Sequence, residues 1–62
     1  MIRLMKIVEI FKGRWQVENA IGTVLVHDLP LGSKFRAEEY IRGYVSSFMN
    51  YNYEVIPLTK EN

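Results

Sequence analysis

The sequence predicts a small α+β domain, a β-β-β-α-β chain whose single amphipathic helix packs on a mostly antiparallel, three- to four-stranded sheet. Three observations carry this prediction. Apolar residues recur at helical spacing over several turns in one stretch only, Ser33 to Asn50. Short runs rich in β-branched and aromatic residues lie before and after it, divided by turns bearing Gly or Asn. The chain is 62 residues long, without repeat, low-complexity segment or linker, so residues 1–62 make one domain.

The first strand is expected near residues 2–11. Ile2, Leu4, Val8 and Ile10 fall on one side, and Met5, Ile7 and Phe11 on the other. A strand apolar on both faces is usually covered on both. Lys12-Gly13 reads as a turn because glycine reaches positive φ at little cost. The second strand, near 14–19, alternates cleanly, with Trp15 and Val17 inward and Arg14, Gln16 and Glu18 outward. Asn19 to Gly22 is the next turn. The third strand, near 23–27, sets Val24 and Val26 against Leu25. Asp28 to Gly32 is a connection, since Pro30 disfavours helix at Leu29 and lacks an amide for a ladder.

The helix is expected near 33–49. Ala37, Tyr40, Ile41, Tyr44, Val45 and Phe48 form its apolar stripe, and Ser33 is the natural N-cap. Glu38 and Glu39 are read as lying near the helix start, where the macrodipole favours negative charge. Asn50 or Asn52 can take the left-handed conformation that ends a helix. Gly43, inside the helix, marks either close approach by another backbone or a tolerated glycine on an exposed side. A last strand near 53–58 follows, with Pro57 pointing to an edge position or a strand end, and then a polar tail, 59–62. After a helical crossover this strand can pair in parallel with its neighbour.

Composition excludes several classes. A chain with 48% apolar and 24% charged residues is an ordinary globular one. It has no cysteine, so no disulfide or thiolate metal site supplements a core near the lower size limit, and oligomerisation becomes a natural source of stability. The N-terminal run resembles a signal peptide only superficially: Lys6 and Glu9 interrupt it and no small-residue cleavage site follows. No stretch approaches the roughly 20 apolar residues of a membrane span. The expectation is a soluble, cytoplasmic protein with no membrane partner.

Equipment for catalysis is hard to find. His27-Asp28 is the one adjacent histidine and carboxylate, but no nucleophile or oxyanion site goes with it. A strand-end histidine beside a turn-forming aspartate is the simpler reading. A single histidine without cysteine does not make a zinc site. Glu38 and Glu39 diverge by about 100° on a helix, and the four glycines form neither a P-loop nor a dinucleotide fingerprint. We expect no catalytic, metal-binding or cofactor-binding residues.

Two kinds of partner fit the residues. One helix covers only one face of the sheet. With Trp15, Val17, Val24 and Val26 toward the helix, Leu25 points away, as does either Ile56 with Leu58 or Tyr53 with Val55. Apolar surface built from several strands marks a protein interface, and Asn50-Tyr51-Asn52-Tyr53 adds phenols of the kind enriched there. Leu25, Tyr51, Tyr53, Ile56 and Leu58 are therefore the candidate contacts, in a homodimer about a two-fold axis or with another protein. Alternatively, a bulge in the first strand, or the loop around Leu29 and Leu31, hides this surface. The other partner is nucleic acid, held by Lys12 and Arg14 beside Trp15 and by Lys34, Arg36 and Arg42. In R-W-Q-V, then G-T-V-L-V, then R-A-E-E-Y-I, the sheet-then-helix order resembles small DNA-binding domains of the integrase arm-binding kind, in pattern alone. Glu18, Glu38 and Glu39 dilute the positive charge and the net charge is only +1, so the protein partner is the first expectation.

Overall fold

A computed structural model describes residues 3–58. Its elements follow the expected order: β1 (Arg3–Phe11), β2 (Arg14–Asn19), β3 (Val24–Leu29), α1 (Lys34–Val45) and β4 (Tyr51–Ile56). Ile2 and the tail 59–62 lie outside the described residues. The four strands form one mixed sheet in the order β3-β2-β1-β4. β1–β2 and β2–β3 pair antiparallel, and β4 pairs in parallel with β1. The chain leaves the sheet at one edge, crosses its face as α1, which lies over β1 and β4, and returns at the opposite edge.

Local chemistry accounts for the turns. Gly13 takes φ 78° between β1 and β2. In the next turn the Asn19 carboxamide Oδ1 accepts from the amides of Ile21 and Thr23 at 3.1 and 2.8 Å, which closes the loop on a side chain. At the helix start, the Ser33 Oγ accepts from the Arg36 amide at 3.2 Å and is the N-cap.

The core sits between α1 and the sheet. Met5 and Ile7 of β1, Trp15 and Val17 of β2, and Ala37, Ile41 and Val45 of α1 are buried. Val26, Leu29, Tyr51, Tyr53 and Val55 pack around them, half-buried. The clean alternation of β2 is thus read correctly, and the parallel register from Arg3↔Tyr51 to Val8↔Ile56 places Tyr51, Tyr53 and Val55 on the helix side.

Several boundaries move, each for a tertiary reason. The helix ends at Val45, not near 49. The Ser46 hydroxyl donates back to the Gly43 carbonyl at 2.8 Å and the Phe48 amide to the Val45 carbonyl at 3.0 Å, so Phe48 leaves the stripe and is exposed. Glu38 and Glu39 fall beyond the first turn, which holds no acid. Asn50 does adopt the left-handed conformation, φ 63°, but it leads into β4, and the helix is capped at Ser46. β4 begins at Tyr51, not 53, and ends at Ile56, before Pro57, because Tyr51 and Asn52 pair with Arg3 and Leu4. β3 runs on to Leu29, through residues expected to be loop, because Leu29 pairs with Trp15. Asp28 permits this by taking φ 56°.

Candidate interaction surfaces

Three register shifts decide which side chains the far face of the sheet displays. One lies in β1 between Glu9 and Phe11, and two separate β2 from β3. A bulge adds a residue to one strand and brings neighbours to the same side. Val24 consequently pairs with Glu18, an outward residue, while Val26 pairs with Val17. Val24 is 45% exposed and Leu25 42%, so the expectation that Val24 faces the helix is corrected. Phe11 likewise lies opposite outward-facing Arg14, on the side of Ile10 and not of Met5. The bulge in β1 therefore exists but hides nothing: Ile10 is 50% and Phe11 69% exposed.

The face away from α1 thus carries Leu4, Val8 and Ile56 half-buried, with Ile10, Phe11 and Val24 exposed; Leu25 is exposed at the bulge between outward Val24 and inward Val26. β1 is covered on one side only, against the expectation of two. A polar row crosses the middle, where Lys6 lies between Glu18 on β2 and Glu54 on β4.

The five residues expected at a protein interface do not share one surface. Ile56, opposite Val8, belongs to the open face, and Leu25 sits at the bulge of β3 toward the other end of the sheet. Tyr51 and Tyr53 are on the helix side. A hollow of about 530 Å³ at the sheet end nonetheless joins Leu25 to Tyr51, with Leu4 and Ile21 between them. Tyr51 also ends a row of rings, Tyr40–Tyr44–Phe48–Tyr51, with successive centroids 6.3, 5.7 and 5.0 Å apart. Leu58 is exposed past the end of β4, and its amide donates to Glu9 Oε1 at 3.0 Å.

Tyr53 forms a closed cluster with the helix. Its hydroxyl donates to Glu38 Oε2 at 3.2 Å and accepts from Arg42 Nε at 3.3 Å, while Arg42 Nη2 meets the same Glu38 oxygen at 3.3 Å. These bonds, led by the one to Tyr53, hold the guanidinium above its usual pKa. The cluster lies on the flank of α1 that overlooks the edge strand β4. The spacing Glu38–Arg42 is an ordinary helical pair in sequence; its link to Tyr53 becomes visible only in the fold.

The five candidate nucleic-acid contacts are not gathered into one stripe. Arg14 lies 3.4 Å from Asp28, and Arg42 is bound to Glu38 and Tyr53. Lys12 occupies the β1–β2 turn, and Lys34 and Arg36 the start of α1. Trp15 is buried, with its indole Nε1 on the Gly32 carbonyl at 3.2 Å, so it cannot stack on a base. His27 is exposed within the edge strand β3, and Asp28 pairs with Arg14 rather than with it. Among the described residues no three His, Cys, Asp or Glu side chains gather as a metal site. No helix there is long and apolar enough to cross a membrane.

Compared with protein-family models, curated proteins and solved structures, the chain matches none.

Proposed function

We propose that this chain is a small non-catalytic protein-interaction module, working as a homodimer or as an accessory subunit, whose contact surface is the open face of the sheet. One observation carries the reading: on the face turned away from α1, Ile10 stays 50% and Val24 45% exposed, at opposite ends of a face that also bears half-buried Leu4, Val8 and Ile56. Apolar side chains from three strands on one open face are the kind of surface that marks an interaction site. The row Glu18–Lys6–Glu54 across it suits a protein partner with polar groups of its own.

Copurification from the native host, read by mass spectrometry, tests the reading when wild type is compared with Ile10→Glu and Leu25→Glu. Both positions are exposed, so the variants keep the fold. A protein retained by wild type and lost from both variants is the expected result. Retention of the same proteins by all three chains overturns it.

One observation favours a second reading, nucleic-acid binding. Lys12, Lys34 and Arg36 form no ion pair among the described residues, and the Gly32 amide donates to the Gly13 carbonyl at 3.0 Å, which joins the turn bearing Lys12 to the loop entering Lys34. Phosphate contacts predict mobility shifts that weaken steeply with salt. Absence of any shift at low salt, with duplex or single strands, removes this reading.

A further inference from the structure

We propose that the partner of β4 is a second copy of this chain: two β4 strands pair antiparallel along their free edges, with Tyr53 on the two-fold axis, fusing two four-stranded sheets into one. The inference rests on the reading of the chain as an interaction module that works as a homodimer, and it adds a seam, the free edge of β4, distinct from the open face.

The two sheet edges are unlike. β3 is shifted in register twice, carries left-handed Asp28 and is followed by Pro30. Bulges and proline of this kind blunt an edge against further pairing. β4 is six residues in unbroken register with β1, and its outer side meets no strand among the described residues. Its sequence, Tyr-Asn-Tyr-Glu-Val-Ile, holds no Lys, Pro or Gly, has high β-propensity and carries one charge. Such an edge is a template for another strand.

The self-pairing register is complementary. With Tyr53 opposite its own copy, Tyr51 falls opposite the partner subunit's Val55, and Asn52 opposite the partner subunit's Glu54. Aromatic pairs, aromatic with β-branched pairs and an amide facing a carboxylate all stabilise antiparallel strands. Sliding one strand by two residues in one direction sets Glu54 against its own copy and opposes like charges, and in the other sets Asn52 against its own copy and loses the Tyr51–Val55 pair. The same axis acts on the helix flank. Glu38 and Arg42 both reach the Tyr53 hydroxyl, so a two-fold axis at Tyr53 brings each Arg42 beside the partner subunit's Glu38. Strands spaced about 4.8 Å apart leave two helices, each lying over β1 and β4, roughly 10 Å apart, a helix-packing distance. The open faces then lie on one side of a continuous sheet.

Sedimentation velocity at micromolar to tens of micromolar concentration tests the seam. Wild type is expected to dimerise. Asn52→Glu, at an exposed position, sets two pairs of like charges opposite each other and weakens association about tenfold. Arg42→Glu and Glu38→Arg each weaken the homodimer, and an equimolar mixture of the two forms a heterodimer tighter than either parent, seen by native mass spectrometry. Because the mixture restores only contacts between chains, it separates interface loss from altered folding. A wild-type monomer throughout this range overturns the proposal, as does a dimer indifferent to Asn52→Glu or a mixture no tighter than its parents. None of these outcomes touches the copurification result, which decides separately whether the open face binds a protein.

Discussion

Trp15 Nε1 donates to the Gly32 carbonyl oxygen at 3.2 Å, tying a fully buried ring of β2 to the loop that launches the helix. The backbone bond between Gly32 and Gly13 lies beside it. Trp15 is therefore both the largest core side chain and the clamp that sets the helix entry. Trp15→Phe keeps an aromatic ring but loses the donor and some volume, and is expected to cost about 2 kcal/mol. Trp15→Ala is expected to cost about 3–5 kcal/mol, enough to unfold much of so small a domain. Urea unfolding followed by circular dichroism measures both.

Glu9 predicts acid sensitivity. Its carboxylate accepts from the Gly13 amide at 2.7 Å and from the Leu58 amide at 3.0 Å, joining the first turn to the chain beyond β4. These two bonds, with a contribution from Lys12, lower its pKa from the ordinary 4.5. A carboxylate with a depressed folded pKa stabilises the fold above its unfolded pKa, and loses that contribution as pH falls through the folded value. The stability difference between wild type and Glu9→Gln should therefore be constant from neutral pH down to about 5 and shrink below it. A difference unchanged between neutral pH and pH 3 contradicts the prediction.

Gly43 and Ser33 offer opposite tests of the helix. A Cβ added at Gly43 meets nothing within 4 Å, which supports the tolerated-glycine reading within the single chain. Gly43→Ala is expected to stabilise by about 1 kcal/mol, raising Tm by roughly 4–8 °C in a domain of this size. Ser33→Ala removes the N-cap and is expected to cost about 1 kcal/mol. A destabilising Gly43→Ala would point to a backbone packed there in an assembly.

Asn50 and Asp28 hold left-handed backbone where β4 begins and where β3 bulges. Asn tolerates this region and β-branched residues do not. Asn50→Gly is expected to be near neutral, whereas Asn50→Val and Asp28→Val should each cost about 1–2 kcal/mol, as read by denaturant midpoints at constant slope. The Arg14–Asp28 pair is solvent-exposed on both sides and adds little of its own, so Asp28→Asn should be nearly silent.

Legibility in the sequence followed how local each cause is. Trp15 and Val17 read as core because Arg14, Gln16 and Glu18 alternate with them. Ala37, Ile41 and Val45 read as core by helical period. Val24, Phe11 and Phe48 depart from their local pattern, the first two through bulges and the third through the early end of α1. Nothing in a short apolar run marks where a bulge will fall, because the bulge is set by the cross-strand partner. The Glu38–Arg42–Tyr53 cluster is invisible in the sequence for the same reason: two of its members are helical neighbours and the third arrives from another element.

By itself the sequence determined the element order, the turns at Gly13 and Asn19, the N-cap at Ser33 and most of the core. Each is an effect of neighbouring residues or of one repeating period. Only the tertiary structure decided the strand order β3-β2-β1-β4, the parallel pairing of β4 with β1, and the asymmetry between a bulged edge and a free one. Those features depend on hydrogen bonds between residues far apart in the chain, whose energies no local pattern encodes.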